Sequence, residues 1–449
     1  MSDATTAAVP GPLVGTDLGP VAGRRQGAVL RFSGIPYAKV PAGADRFALP
    51  VPPQPWDRVF DARHDGPRAP APDRRQLGPL DLTPVVGTPA PGADYLTATL
   101  WAPEGRSGCP VLVFLHGGGF VSGGATTPVH DGTAFARDGI VAVGLQYRIG
   151  VPGWLHVPGA PANRGLLDAA AGLEWVRRNI ARFGGDPGNI TLAGQSAGAM
   201  LATALLVTTP PGSVRGLISQ SGSGTAAFSP AQAGLVTGLL AGLLGIPADL
   251  AAFCSVKDEE FVEAYPALMG ALAAHGGNGH PLSAITAFAP VIDQTTLPGQ
   301  PADLLDSVRA RQTALLIGTN SDEGNLYTET APVPGGDAVA LGHGIFGDGT
   351  SRLARAHACH RDARTYRYEF RWRSGAIDGR LGAAHCTELP FVFRTEQRPD
   401  LSGPHGLLGP AQPPPDLADR MHRDWAAFIT DHQPSWPSAQ EGGPVHAYE

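Results

Sequence analysis

Residues 189–206 constrain the backbone more tightly than any other stretch of this 449-residue chain. Asn189-Ile190-Thr191-Leu192-Ala193 is short, apolar and β-branched, and reads as a buried strand. It runs into Gly194-Gln195-Ser196-Ala197-Gly198 and then into helix-forming residues from Ala199 to Leu206. A strand, a G-x-S-x-G turn and a helix make a nucleophile elbow. The turn is so sharp that the positions two before and two after the serine must be nearly free of side chain. Ser196 stands just ahead of a helix N-terminus, whose free N–H groups face any developing anion. Glycine supplies 60 of the 449 residues, so the pentapeptide alone is weak; the strand before it and the helix after it carry the reading.

A nucleophilic serine needs an oxyanion hole. Val111-Leu112-Val113-Phe114-Leu115 reads as another buried strand, and it runs into His116-Gly117-Gly118-Gly119-Phe120. This is the HGGG-type loop whose N–H groups complete the oxyanion hole of an α/β-hydrolase. Successive glycines let backbone approach a substrate carbonyl closely. The hole is assigned to the N–H groups of Gly118, Gly119 and Ala197, and His116 is read as a structural hydrogen-bonding residue of the loop.

With these motifs in place, the chain resembles the type-B carboxylesterases, the group of the para-nitrobenzyl esterases and cholinesterases. The matching stretches are Phe32-Ser-Gly-Ile-Pro-Tyr-Ala38, Arg46-Phe47, Pro55-Trp56, Leu100-Trp-Ala-Pro103 and the 116–120 loop. They continue with Asn163-Arg-Gly-Leu-Leu-Asp168, Phe183-Gly-Gly-Asp-Pro187, the elbow, Pro290-Val-Ile-Asp293, Gly318 to Gly324 and His385 to Phe393. Their joint order is the specific signal. The resemblance implies a single α/β-hydrolase domain over residues 1–449, a mostly parallel sheet with helices on both faces and insertions over the site.

The same resemblance names the rest of a triad. α/β-Hydrolases place serine, acid and histidine in that chain order. The apolar strand Ala314-Leu-Leu-Ile-Gly318 ends beside Asp322 and Glu323, at the strand end where such sites collect. The family's acid falls on Glu323, with Asp322 as the local rival. Eight histidines follow Glu323, and His385 alone sits in the family pattern. His385 would shuttle the Ser196 proton while Glu323 orients its ring. Ser221 and Glu388 match buried polar residues near the family triad. Phe120, Gln195, Ala284, Thr286 and Phe288 are the expected pocket residues, with Ala284 and Thr286 on the acyl side.

Composition bounds the rest. Hydrophobic content of 43% with 16% charged residues suits a globular enzyme, and site residues spread from 116 to 385 must converge in one fold. A net charge of −7 and the lack of a basic run argue against nucleic acid. No signal peptide or membrane-length apolar run is apparent, and the expectation is a cytoplasmic enzyme of unspecified oligomeric state. Where secreted relatives carry disulfides, this chain reads Ala69-Pro70-Ala71 and Asp94-Tyr95-Leu96, and Cys254 faces Ile246 instead of a partner. No cofactor or metal is expected: His357-Ala-Cys359-His360 offers three ligands without an obvious fourth.

Strands are expected at 111–116, 140–147, 190–194, 216–220, 314–318 and 364–370, with helices from Leu166 to Phe183 and from Asp416 to Ile429. The segment from Pro67 to Pro91 reads as a long irregular loop, a candidate lid. Gln195 stands where cholinesterases carry glutamate, and the 67–91 segment has no tryptophan to bind a choline cation. The substrate expected is therefore a neutral, medium-sized carboxylic ester. The short interval from Glu323 to His385 points to a trimmed roof and an open site. A biosynthetic acyltransferase or lactone-forming enzyme using the same acyl-enzyme is the alternative. A catalytically dead adhesion module fits poorly with a retained serine and no anchor.

Overall fold

The computed structural model describes residues 11–330 and 337–449. Ten strands form one sheet: β1 Arg24–Gln26, β2 Val29–Pro36, β3 Thr97–Pro103, β4 Cys109–Leu115, β5 Val141–Leu145, β6 Gly185–Gln195, β7 Gly216–Gln220, β8 Ala314–Asn320, β9 Thr365–Phe370 and β10 His446–Tyr448. Their spatial order is β10-β9-β8-β7-β6-β4-β5-β3-β2-β1. The pairings β1–β2, β2–β3 and β3–β5 are antiparallel, and those along β5-β4-β6-β7-β8-β9-β10 are parallel. All six strands read from the sequence lie within this set, with ends shifted by a few residues.

Alternation along β4 shows how the sheet acquires two dry faces. Val111, Val113 and Leu115 enter one apolar cluster with Leu166, Leu173 and Val176 of α1 (Arg164–Asn179) and with Met200 and Leu201 of α2 (Ala197–Thr208). Leu112 and Phe114 enter the opposite cluster with Met421, Trp425 and Phe428 of the last long helix, Leu417–Asp431. A strand's period of two sends neighbours to opposite faces, so a strand covered on both sides must be apolar throughout. Helix α2 is buried along nearly its whole length, matching a sequence without a polar stripe.

One charged pair is locked into this interior. Arg148 and Asp168, both fully buried, meet through Nε–Oδ2 and Nη2–Oδ1, each 2.8 Å. The remaining guanidinium nitrogen reaches the carbonyls of Arg46 and Ala48 at 3.2 and 2.9 Å. Four residues upstream of α1's Asp168, the Asn163–Arg164 segment is tied elsewhere: Asn163 exchanges two hydrogen bonds with Val291, at 2.8 and 2.7 Å. The motifs around 46, 163–168 and 290–293 are thereby parts of one scaffold.

One sequence expectation changes. The 67–91 segment is not wholly irregular: Gln76–Leu77 and Leu80–Asp81 pair as a tight hairpin, followed by a helical turn over Thr83–Val86. The Asp81 carboxylate accepts the Thr83 N–H at 2.8 Å and starts that turn. His357 lies on α3 (Asp348–Ala358) and is spent on structure, with Nδ1 on the Thr365 hydroxyl at 2.7 Å and Nε2 on the Thr313 carbonyl at 2.9 Å. No helix among the described residues is long and apolar enough to cross a membrane.

Removing one partner of a buried ion pair strands the other charge. Asp168→Asn should lower unfolding free energy by about 3–5 kcal/mol in a denaturant titration, and Arg148→Met with Asp168→Asn should be less damaging than Asp168→Asn alone.

Candidate active site

The sheet reverses its winding between β4 and β6: the chain leaves β4 toward β5 on one side and leaves β6 toward β7 on the other. Ligands of open α/β sheets gather beyond the strand C-termini at such a switch point. The 116–120 loop and Ser196 are the residues that leave those two strand ends.

Ser196 has φ 57° and ψ −128°, a conformation disfavoured for any residue with a side chain. Its N–H is held by the Gln220 carbonyl at 2.9 Å, and its carbonyl takes the N–H of Ala199 at 2.9 Å. The flanking glycines are steric necessities. A Cβ on Gly198 would lie 2.0 Å from the Leu115 carbonyl oxygen, and one on Gly194 would lie 2.3 Å from the Gly198 carbonyl carbon.

The facing loop is fixed through its carbonyls. Gly118 (φ 110°) passes so close to Ser122 that a Cβ would sit 2.2 Å from that residue's oxygen. The Gly118 carbonyl accepts N–H groups from Val121 and Ser122 and the Ser122 hydroxyl, and the Gly119 carbonyl accepts the Thr286 hydroxyl at 2.6 Å. Among the described residues, nothing accepts the N–H groups of Gly118, Gly119 or Ala197. Three free amides therefore collect beside the serine. His116 is part of the frame: it stacks on Tyr147 at 4.4 Å, and burial lowers its pKa to about 4.

His385 lines the same cavity as Ser196, Gly118 and Gly119. Its Nδ1 meets Glu323 Oε2 at 2.6 Å, and the other Glu323 oxygen accepts the Asn320 N–H at 2.8 Å. An Nδ1–H given to the carboxylate leaves the Nε2 lone pair for a proton from the serine. That Nε2 lies 3.3 Å from the Gln195 amide nitrogen, which also donates to Cys386 Sγ at 3.3 Å. Phe346 stacks on the imidazole at 4.3 Å from a π-turn over His343–Gly347. Burial opposes the imidazolium, but Tyr327, Cys386 and Glu323 outweigh it and hold the pKa of His385 well above its ordinary value.

Glu388 stands behind the acid. Asn320 donates to its Oε2 at 2.8 Å, and Gln220 donates to Oε1 at 3.3 Å while accepting the Trp425 indole N–H at 3.1 Å. Burial, reinforced by the neighbouring Glu323 charge, raises the pKa of Glu388 to about 7. Ser221 is buried beside this network with φ 47°, its N–H on the Gly318 carbonyl, and its hydroxyl has no partner among the described residues. Asp322 is engaged elsewhere, with Arg373 and with the Ala383 N–H at 2.8 Å.

The cavity over Ser196 is small, ≈ 60 Å³, and its apolar wall includes Leu77, Leu82, Val85, Ile285 and Tyr327. Three of these come from the 67–91 segment, which roofs the site. The trimmed interval before His385 therefore does not expose it: Ser196 is 6% exposed and His385 2%. The expected pocket also needs correction. Gln195 lines the cavity, but a tight turn over Pro281–Ala284 leaves Ala284 facing solvent and turns Ile285 inward. Thr286 is spent on the Gly119 carbonyl, Phe120 packs beneath the loop on Trp154 at 4.5 Å, and Phe288 lines a separate cleft with Tyr265. Sequence reasoning missed Asn320, Gln220, Cys386, Phe346 and Arg74, which lines the cavity from the roof. Of these, only Asn320 and Cys386 lay within motifs already singled out.

The family model described as the carboxylesterase family matches residues 10–333. The chain is similar to the para-nitrobenzyl esterase of Bacillus subtilis (strain 168), 36% identical over 323 residues that cover 70% of this chain and 63% of that protein, under two thirds of its length. It is also similar to the phenmedipham hydrolase of Pseudarthrobacter oxydans, 30% identical over 97% of this chain and 94% of that one. A solved thermophilic para-nitrobenzyl esterase superposes with TM-score 0.82 at 29% identity, covering 95% of this chain and 93% of the other.

Two pH effects follow from the site. With His385 acting as the base, kcat/KM should rise with pH through a midpoint above 6.5, and Glu323→Gln should move that midpoint down by removing the carboxylate. Glu388, with its folded pKa raised from 4.5 to about 7, contributes stability that is complete below 4.5 and is lost as pH climbs through about 7. Glu388→Gln should abolish that loss, improving relative to wild type by up to about 3 kcal/mol between pH 4.5 and pH 8 in denaturant titrations.

Proposed function

The chain belongs to the carboxylesterase family and is a carboxylic ester hydrolase; from this premise we propose that Ser196, His385 and Glu323 carry out the reaction, with the amides of Gly118, Gly119 and Ala197 as the oxyanion hole. Ser196 Oγ attacks the ester carbonyl carbon as His385 Nε2 takes its proton. The carbonyl oxygen becomes an oxyanion held by the three free N–H groups, whose positions are fixed in advance by the loop's bound carbonyls. Collapse breaks the bond to the leaving oxygen, which receives the proton from His385 and departs as the alcohol. Water, deprotonated by the same Nε2, then attacks the acyl-enzyme, and Ser196 is released with the carboxylic acid. The observation that carries this reading is the 2.6 Å contact between Glu323 and His385 in the cavity that Ser196 and the hole glycines line. Ser221 and Glu388 support the triad from behind, Glu388 through Asn320.

The substrate is a neutral, medium-sized ester. Gln195 brings no charge to the serine, the cavity wall is largely apolar, and the relatives named above are esterases or hydrolases. We read residues 1–449 as one domain acting in the cytoplasm on small molecules, without nucleic acid or membrane partners. Four free cysteines suit that compartment.

Ser196→Ala should cut hydrolysis of para-nitrophenyl esters by about 10⁴–10⁶ with the fold intact, and an organophosphonate should add its mass to the Ser196 peptide. His385→Ala should be about as damaging, and the double variant little worse. Glu323→Gln should cost orders of magnitude and Asp322→Asn little; the reverse ranking would move the acid to Asp322.

A further inference from the structure

Arg74 is a guanidinium without a counter-ion in the wall of the catalytic cavity. It is half-buried, and among the described residues no carboxylate lies within 4.0 Å of it. Its neighbours are accounted for. Arg75 is paired with Asp73 at 2.6 Å, and Arg68 donates to the Thr126 hydroxyl at 3.0 Å and the Val86 carbonyl at 3.3 Å. Among the described residues the one hydrogen bond of the Arg74 side chain is long, from Nη1 to the Gly118 carbonyl at 3.4 Å. Its position is nonetheless well defined relative to the chemistry. A Cβ built on Gly119 would lie 3.3 Å from Arg74 Nη1 and 3.6 Å from Thr286 Cβ, so Arg74 and Thr286 converge on one side of a residue of the oxyanion hole.

A cation set among Leu77, Leu82, Val85 and Val86 loses hydration without gaining a partner, so nothing in the folded protein's own stability favours it there. An anionic ligand would give it that partner. The guanidinium fork matches a carboxylate, which it binds through two parallel hydrogen bonds. The cavity adjoins, at Arg74, Val86 and Ser122, a groove of ≈ 540 Å³ whose lining also holds Glu259 and Glu263, Arg68 and the Asp73–Arg75 pair, with Asp258 paired to Arg46 at 3.4 Å. Glu259 and Glu263 disfavour an anion in the outer groove; Arg75 is neutralised by Asp73 and Arg68 does not line the catalytic cavity, so Arg74 is the guanidinium that groove and catalytic cavity share. The anionic group must therefore lie close to the ester, not at the end of a long tail.

We propose that Arg74 is a specificity residue that extends the substrate range from neutral esters to esters whose short acyl chain ends in a carboxylate, the half-esters of dicarboxylic acids. This inference rests on the ester-hydrolase reading. Hydrolysis then releases the alcohol and a dicarboxylate.

The test compares mono-4-nitrophenyl glutarate with its uncharged counterpart 4-nitrophenyl valerate, so that the leaving group stays constant. Wild-type hydrolysis of the valerate ester, absent in Ser196→Ala, establishes the underlying reading independently of Arg74. The ratio of kcat/KM for the glutarate half-ester over the valerate ester should fall about 10- to 100-fold in Arg74→Gln, the worth of a hydrogen-bonded charge contact. Arg74→Lys should recover part of it, and added salt should shrink the wild-type ratio. Arg75→Gln should leave the ratio as in wild type. An unchanged ratio in Arg74→Gln overturns the proposal. So does an equal loss on both esters, because Arg74 would then serve only to brace the Gly118 carbonyl.

Discussion

The site depends on one close approach: the backbone at Gly198, in the first turn of α2, against the carbonyls of Leu115 and His116 at the end of β4. Adjacent parallel strands fix the spacing of the two chains at this point, and any Cβ at 198 would lie 2.0 Å from the Leu115 carbonyl oxygen. That contact is made without side chains, and it sets the backbone of Ala197–Gly198 directly against the strand that leads into the 117–119 glycines. The strain at Ser196 persists because the surroundings over-determine it: its N–H, its carbonyl and the helix that follows are all committed.

How much of this was legible in the sequence varies with the kind of interaction. Gly194, Gly198 and the 117–119 glycines were readable because a steric requirement writes itself as a residue type at a fixed spacing. The central strands were readable because a doubly covered strand must be apolar at every position. Pocket residues were not. Whether Ala284 or Ile285 faces the serine depends on the phase of one 3-10 turn, and a shift of one residue exchanges the exposed and lining positions. The order in the 67–91 segment was missed for a related reason: its prolines and glycines signal turns, while the hairpin is made by only four residues.

Several motifs that mark the family do structural work at a distance from the chemistry. Asp168 neutralises Arg148, and Asn163 clamps Val291, so residues separated by more than a hundred positions share one buried frame. A sequence reveals such residues as an ordered pattern but not as partners, since the contacts are made only when α1 packs on the sheet. The roof has a similar logic. Leu77, Leu82 and Val85 line the cavity over the serine from a segment that precedes the first parallel strand, and Ser196 is left 6% exposed.

The two buried glutamates illustrate how environment divides identical side chains. Glu323 accepts from the Nδ1 of His385 at 2.6 Å and from the Asn320 backbone N–H at 2.8 Å. Glu388 faces only the side-chain amides of Asn320 and Gln220, in full burial, and is left with a pKa near neutrality. Asn320 touches both, its backbone on one and its side chain on the other, so the carboxylates are held near each other without sharing a hydrogen bond. Burial and the neighbouring Glu323 charge thus hold Glu388 near its midpoint at neutral pH. A second full charge behind Glu323 would stabilise the imidazolium further and make its proton harder to return to the leaving alcohol.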